Sequence, residues 1–148
     1  MDKNKFKIRD YKSDDYDQII ELWKKTGLGG VERGDDSAVI ELSLELGGKL
    51  FVMESSSDKK VIGTSWITFD GRRLHLHHFG IDPQFQGNGY SKALLRESLA
   101  FAKKKNVQIK LEVHKDNEKA INLYGDFGFK YLGNYVIFII RDLTEIKF

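Results

Sequence analysis

The chain has no cysteine in its 148 residues. That excludes disulfides, thiolate metal sites and any cysteinyl covalent intermediate. Charge of one sign is also missing: 24 basic side chains face 22 acidic ones, leaving a net charge of +2. No strongly basic face is demanded, which argues against nucleic acid as a partner. No apolar run reaches membrane-spanning length, and the charged start Met1-Asp2-Lys3-Asn4-Lys5 lacks the apolar core of a signal peptide. The expectation is a single domain over residues 1–148, with no membrane partner and a cytoplasmic location. There is neither an internal repeat nor a low-complexity segment.

What is present is centred on Ile81-Asp82-Pro83-Gln84-Phe85-Gln86-Gly87-Asn88-Gly89-Tyr90-Ser91. A strand rich in apolar and aromatic residues runs into a loop with two glycines, and the loop opens into an amphipathic helix through Leu95, Leu99 and Ala102. Gly87 and Gly89 remove Cβ atoms that would hold a ligand off the backbone. Successive N–H groups can then converge on phosphate oxygens beside the positive end of the helix dipole. The loop lacks the Gly-Lys-Ser/Thr ending of a nucleoside triphosphatase, and it has neither the third glycine nor the following acidic residue of a dinucleotide fold.

Periodicity supplies the remaining elements. Phe6 to Arg9 alternates as a first strand, and Ser13 reads as the N-cap of a helix carrying Tyr16, Ile19, Ile20 and Trp23 on one face. A glycine-rich loop follows, and Asp36 or Ser37 caps a second helix that Gly47-Gly48 ends. Strands are expected at Leu50–Met53, Val61–Phe69 and Arg72–Ile81, with Asp70-Gly71 as the hairpin turn between the last two. Val107 to Val113 alternates perfectly, and the strand–helix–strand connection implies a parallel pair. Asp116 or Asn117 then caps a helix containing Tyr124, and residues 129–132 and 135–140 read as two final strands. The fold class is α/β: about seven strands and about four helices.

Gln86-Gly87-Asn88-Gly89-Tyr90-Ser91 resembles the Gln/Arg-x-x-Gly-x-Gly/Ala loop of the GCN5-related N-acetyltransferase superfamily, with Ser91 where the family usually has Gly or Ala. A second stretch, Leu111-Glu112-Val113 through Asn117, Ala120, Leu123-Tyr124 and Gly128-Phe129, resembles that family's later motif in order and spacing. The resemblance implies a mixed central sheet in which two parallel strands, near Phe79 and near Leu111, splay into a V that admits pantetheine. It implies acetyl-CoA as cosubstrate, its pyrophosphate on Gln86, Gly87, Asn88, Gly89, Tyr90 and Ser91, and its pantetheine along Phe79, Gly80 and Ile81. Tyr124 matches the tyrosine that protonates the departing thiolate, and Asn117 the asparagine that touches the cofactor; Asn117 serves equally well as an N-cap.

Glu112 matches a strand glutamate that takes the amine proton in some members. As a partly buried carboxylate it would have a raised pKa suited to a base; as a solvated strand residue it needs no function. His78 is a competing base. Strict alternation would put His75 and His77 on one face with Phe79, and His78 on the other with Leu74 and Leu76. Only one histidine pair would share a face, so no metal is expected. Arg33, Asp35, Asp36 and Glu41 are candidates for acceptor recognition, although capping and loop solubility explain the acidic ones as well. The resulting expectation is N-acetyl transfer to a primary amine of a small molecule or peptide, with a homodimer open. The alternatives are a coenzyme A binding or sensing module without turnover and a nucleotide-phosphate binding domain.

Overall fold

The computed structural model describes residues 5–148, so most of the charged start lies outside the described residues. It divides into two compact units, one through Glu112 and the other Val113–Phe148.

The first unit is a five-stranded sheet in the order β1-β2-β3-β4-β5. The strands are β1 (Phe6–Asp10), β2 (Lys49–Ser55), β3 (Val61–Phe69), β4 (Leu74–Ile81) and β5 (Ile109–Leu111), with helices α1 (Tyr16–Thr26), α2 (Ser37–Glu45) and α3 (Tyr90–Lys105) between them. β1 to β4 are antiparallel neighbours and β4 with β5 is parallel. The Asp70-Gly71 hairpin forms as expected: the Asp70 carboxylate accepts the N–H groups of Arg72 and Arg73.

Alternation along the strands separates two packing layers. Leu50, Val52 and Trp66 pack with Ile19, Ile20, Leu22 and Trp23 of α1 and Ile40 of α2. Residues of the opposite parity face α3: Phe51 meets Phe101 edge-on, and the Ser65 hydroxyl lies 2.7 Å from that of Ser98. Each large apolar side chain buried in these layers stabilises the fold by about 1.5–3 kcal/mol.

Helix boundaries follow local chemistry, with one correction. Gly27 closes α1 at φ 68°, and Asp36 rather than Ser37 caps α2 by accepting the Val39 N–H. Ser13 is not a cap. It opens a short 3-10 turn, and Asp15 at the end of that turn accepts the Lys12 N–H and both terminal nitrogens of Arg9. A bidentate guanidinium pair outweighs one hydroxyl bond, so the chain is pinned at Asp15.

The second unit holds α4 (Glu118–Asp126), capped by Asn117, whose side chain accepts the Ala120 N–H. Among the described residues the two strands expected at 129–132 and 135–140 do not form, and the sheet has five strands rather than about seven. A strand exists only where its N–H and C=O groups find a ladder, and side-chain pattern alone does not supply one.

Candidate functional site

The site is built where β4 changes character. Its first three residues are paired on both sides, and the parallel ladder to β5 runs only from Leu74↔Ile109 to Leu76↔Leu111. From His77 to Ile81 the strand pairs with β3 alone among the described residues. On the β3 side, Thr64 faces Gly80 and Trp66 faces His77, which leaves Ser65 opposite both His78 and Phe79. That is a bulge, and His78 occupies it with φ 45°.

The bulge overturns the expected placement of the histidines. His78 does not share a face with Leu74 and Leu76. Its ring packs 4.3 Å from Trp23 and 5.1 Å from Trp66, on the same side as His77 and His75. An extra residue in a ladder shifts the parity of everything after it. Gly80 therefore faces the α1–α2 side, where an added Cβ would sit 2.6 Å from Leu28, and Phe79 leaves the histidine face. Thr64 satisfies the bulge by donating to the His78 carbonyl, and Trp23 Nε1 donates to the Thr64 hydroxyl.

His78 is held by a residue 43 positions away. Its Nε2 lies 2.8 Å from Asp35 Oδ2, both side chains are 12% exposed, and the Gly30 N–H donates to the same oxygen. A carboxylate oxygen accepts, so Nε2 carries the proton and Nδ1 keeps the lone pair, buried and without a hydrogen-bond partner. Burial lowers the His78 pKa, and Asp35 opposes that shift. His77 is pushed down to about 3, first by burial and then by His75 and His78, and its Nε2 is hydrogen-bonded to the Thr68 hydroxyl. His75 is lowered by burial, with Glu112 acting against the shift. All three are neutral at pH 7.

Glu112 stands at the end of β5 with its carboxylate 3.9 Å from His75 Nε2 and its side chain 49% exposed.

Beyond Ile81 the loop is fixed from beneath. Asp82, 1% exposed, receives Lys25 of α1 at 2.8 Å and the Gln84 N–H at 3.0 Å. Although burial works the other way, these donors hold its carboxyl below the usual range. The Gln86 side chain donates to the Ile81 carbonyl, and the Asn88 side chain to the Phe85 carbonyl. Gly87 and Gly89 take left-handed φ values of 80° and 77°, and α3 starts at once. Among the described residues, no backbone acceptor takes the amides from Gly87 to Ser91. Such donors at the N-terminus of a 16-residue helix are suited to an anion. That arrangement fits a diphosphate.

In the second unit, Tyr124 lies on α4 with its ring 5.6 Å from that of Phe129, and burial raises its pKa to about 12. Among the described residues no cluster of three metal-ligating side chains occurs, and no helix is long and apolar enough to cross a membrane.

Sequence reasoning named Asp35 and His78 separately but missed that they pair. Their separation leaves no local signal, and Gly29 is the one trace of it. An added Cβ at Gly29 would collide with both His78 Nε2 and Asp35 Oδ2.

Solved structures share this fold. An acetyltransferase from Streptococcus agalactiae 2603 superimposes with a TM-score of 0.76 at 19% identity, covering 93% of this chain and 92% of its own. Glucosamine-6-phosphate N-acetyltransferase from Arabidopsis thaliana gives 0.70 at 19% identity over 93% and 98%. A predicted acetyltransferase with acetyl-CoA from Clostridium acetobutylicum gives 0.69 at 17% identity over 90% and 96%. The model of the acetyltransferase (GNAT) family matches residues 16–129, most of the chain, and the protein belongs to that family.

Proposed function

We propose that this acetyltransferase moves the acetyl group of acetyl-CoA directly to a primary amine of a small molecule or peptide. The observation that carries the reading is the row of amides from Gly87 to Ser91 at the start of α3 that no backbone acceptor takes among the described residues. The loop takes the pyrophosphate, and the backbone of Phe79, Gly80 and Ile81 takes the pantetheine amides. Asn117 contributes at the α4 cap.

The neutral amine attacks the thioester carbonyl, forming the C–N bond as the C–S bond breaks. The amine proton goes to a base and the thiolate gains one from an acid. Tyr124 suits the acid role, because a phenol with a pKa near 12 remains protonated throughout the neutral range. Glu112 suits the base role better than His78. Its carboxylate is half exposed, whereas His78 has Nε2 committed to Asp35 and Nδ1 enclosed.

Thiol release measured against a panel of amines tests the reading. Tyr124→Phe should lower kcat by about 100-fold with acetyl-CoA affinity retained, and Glu112→Gln should likewise lower kcat while leaving acetyl-CoA affinity unchanged. Full activity in Tyr124→Phe would overturn the acid assignment. Tight coenzyme A binding with no amine consumed would replace the enzyme by a binding module.

A further inference from the structure

Beside the start of α3, where β1 begins and β2 ends, lies a cavity of about 370 Å³ lined by Lys5, Ser55, Ser56, Ser57, Phe85 and Tyr90. The acetyl transfer itself makes no use of it. All six residues belong to the first unit, and backbone hydrogen bonds fix the walls. Phe6 pairs with Ser55, and one step further out the Lys5 carbonyl accepts the Ser56 N–H at 3.0 Å. The serine turn closes on itself, with the Ser55 N–H donating to the Lys60 carbonyl and the Lys59 N–H to the Ser55 carbonyl. On the loop side, the Phe85 N–H donates to the Asp82 carbonyl and the Asn88 side chain to the Phe85 carbonyl. Tyr90 leans on Phe6, with 4.8 Å between ring centroids.

The lining offers one cation, three hydroxyls and two aromatic rings. A lysine is a point charge suited to phosphate, hydroxyls donate to its oxygens, and an aromatic face stacks on a flat base. The neighbouring carboxylates are engaged elsewhere. Glu54 takes Arg9, Asp82 takes Lys25, and the exposed Asp58 takes the Ser55 hydroxyl and the Lys60 N–H. Such a lining fits a phosphate monoester carried on a nucleoside, and the volume lies within the roughly 300–1,000 Å³ of small-molecule sites. Two of the six residues also belong to the diphosphate loop: Phe85 leads into it, and Tyr90 supplies one of its amides. A phosphorylated nucleoside here therefore adjoins a diphosphate held there.

We propose that the cavity holds the 3′-phosphoadenosine end of coenzyme A, its 3′-phosphate against Lys5 and the serine turn and its adenine against Phe85. The inference rests on the acetyl-CoA reading and goes beyond it: these residues make the protein select for a phosphate that takes no part in the chemistry.

Calorimetric titration of the full chain with coenzyme A and with 3′-dephospho-coenzyme A tests it. Wild type should bind coenzyme A about 10-fold more tightly, and Lys5→Ala, a change at an exposed side chain, should erase that preference by weakening coenzyme A alone. Lys5→Arg should restore it. Equal affinity of the wild type for the two compounds overturns the proposal, and so does a preference that survives Lys5→Ala. A separate nucleotide site is the other source of the same chemistry, so adenosine 3′,5′-bisphosphate is titrated into protein already saturated with coenzyme A. No binding is expected, and binding that Lys5→Ala removes overturns the assignment to coenzyme A. Failure of both coenzymes to bind would sink the acetyl-CoA reading itself, whereas equal binding of the two sinks this inference alone.

Discussion

Two glycine-containing loops meet β4, and their glycines serve opposite ends. At Gly87, φ is 80° and an added Cβ would find open space; that glycine permits a backbone turn and leaves its outer side clear. At Gly29 the space is already taken by the His78 and Asp35 side chains. One loop keeps room for something to arrive, and the other has closed on a packed pair. Glycine content alone does not distinguish a ligand cradle from a packing contact; the surroundings of the missing Cβ do.

Substitutions can break the comparison at either loop. Gly89→Trp adds bulk at a left-handed position in the cradle, and acetyl-CoA affinity measured by calorimetry should fall by at least about 100-fold. Gly29→Ala should leave that affinity unchanged but separate His78 from Asp35. Urea unfolding should read a stability loss of about 3 kcal/mol, from overpacking and a stranded buried acceptor.

The packed side also has a pH signature. His77 has a folded pKa of about 3 against an ordinary 6.5, so the unfolded chain binds its proton first as pH falls. Its stabilisation is complete above 6.5 and declines toward 3, at up to about 1.4 kcal/mol per pH unit. His77→Gln should remove about 2 kcal/mol of the stability change between pH 6.5 and 5, read by urea unfolding at each pH. The smallest effect belongs to Gly87→Ala, which meets no neighbour and should cost about 1 kcal/mol for its left-handed φ alone.

Features encoded within a few residues were legible in the sequence. The Asp70-Gly71 hairpin, the Asp36 and Asn117 caps, the β3 boundaries and the loop-to-helix junction each depend on neighbours in the chain. Features that depend on a distant partner were not. The bulge that turns His78 around exists because β3 and β4 differ by one residue in their ladder, which alternation within β4 does not reveal. The Asp35–His78 pair spans 43 positions, and residues 135–140 carry a strand pattern with no ladder among the described residues. Ser13 lost its role as a cap to the pull of Arg9 on Asp15, again from another element.

The central claim is that the amides from Gly87 to Ser91 hold the diphosphate of acetyl-CoA. Calorimetric titration of the folded protein with acetyl-CoA, coenzyme A and ATP tests it most directly. The account predicts binding of acetyl-CoA and coenzyme A, abolished by Gly89→Trp, with no binding of ATP. Failure of the well-folded protein to bind either thioester or thiol would contradict it, and so would binding that Gly89→Trp leaves untouched.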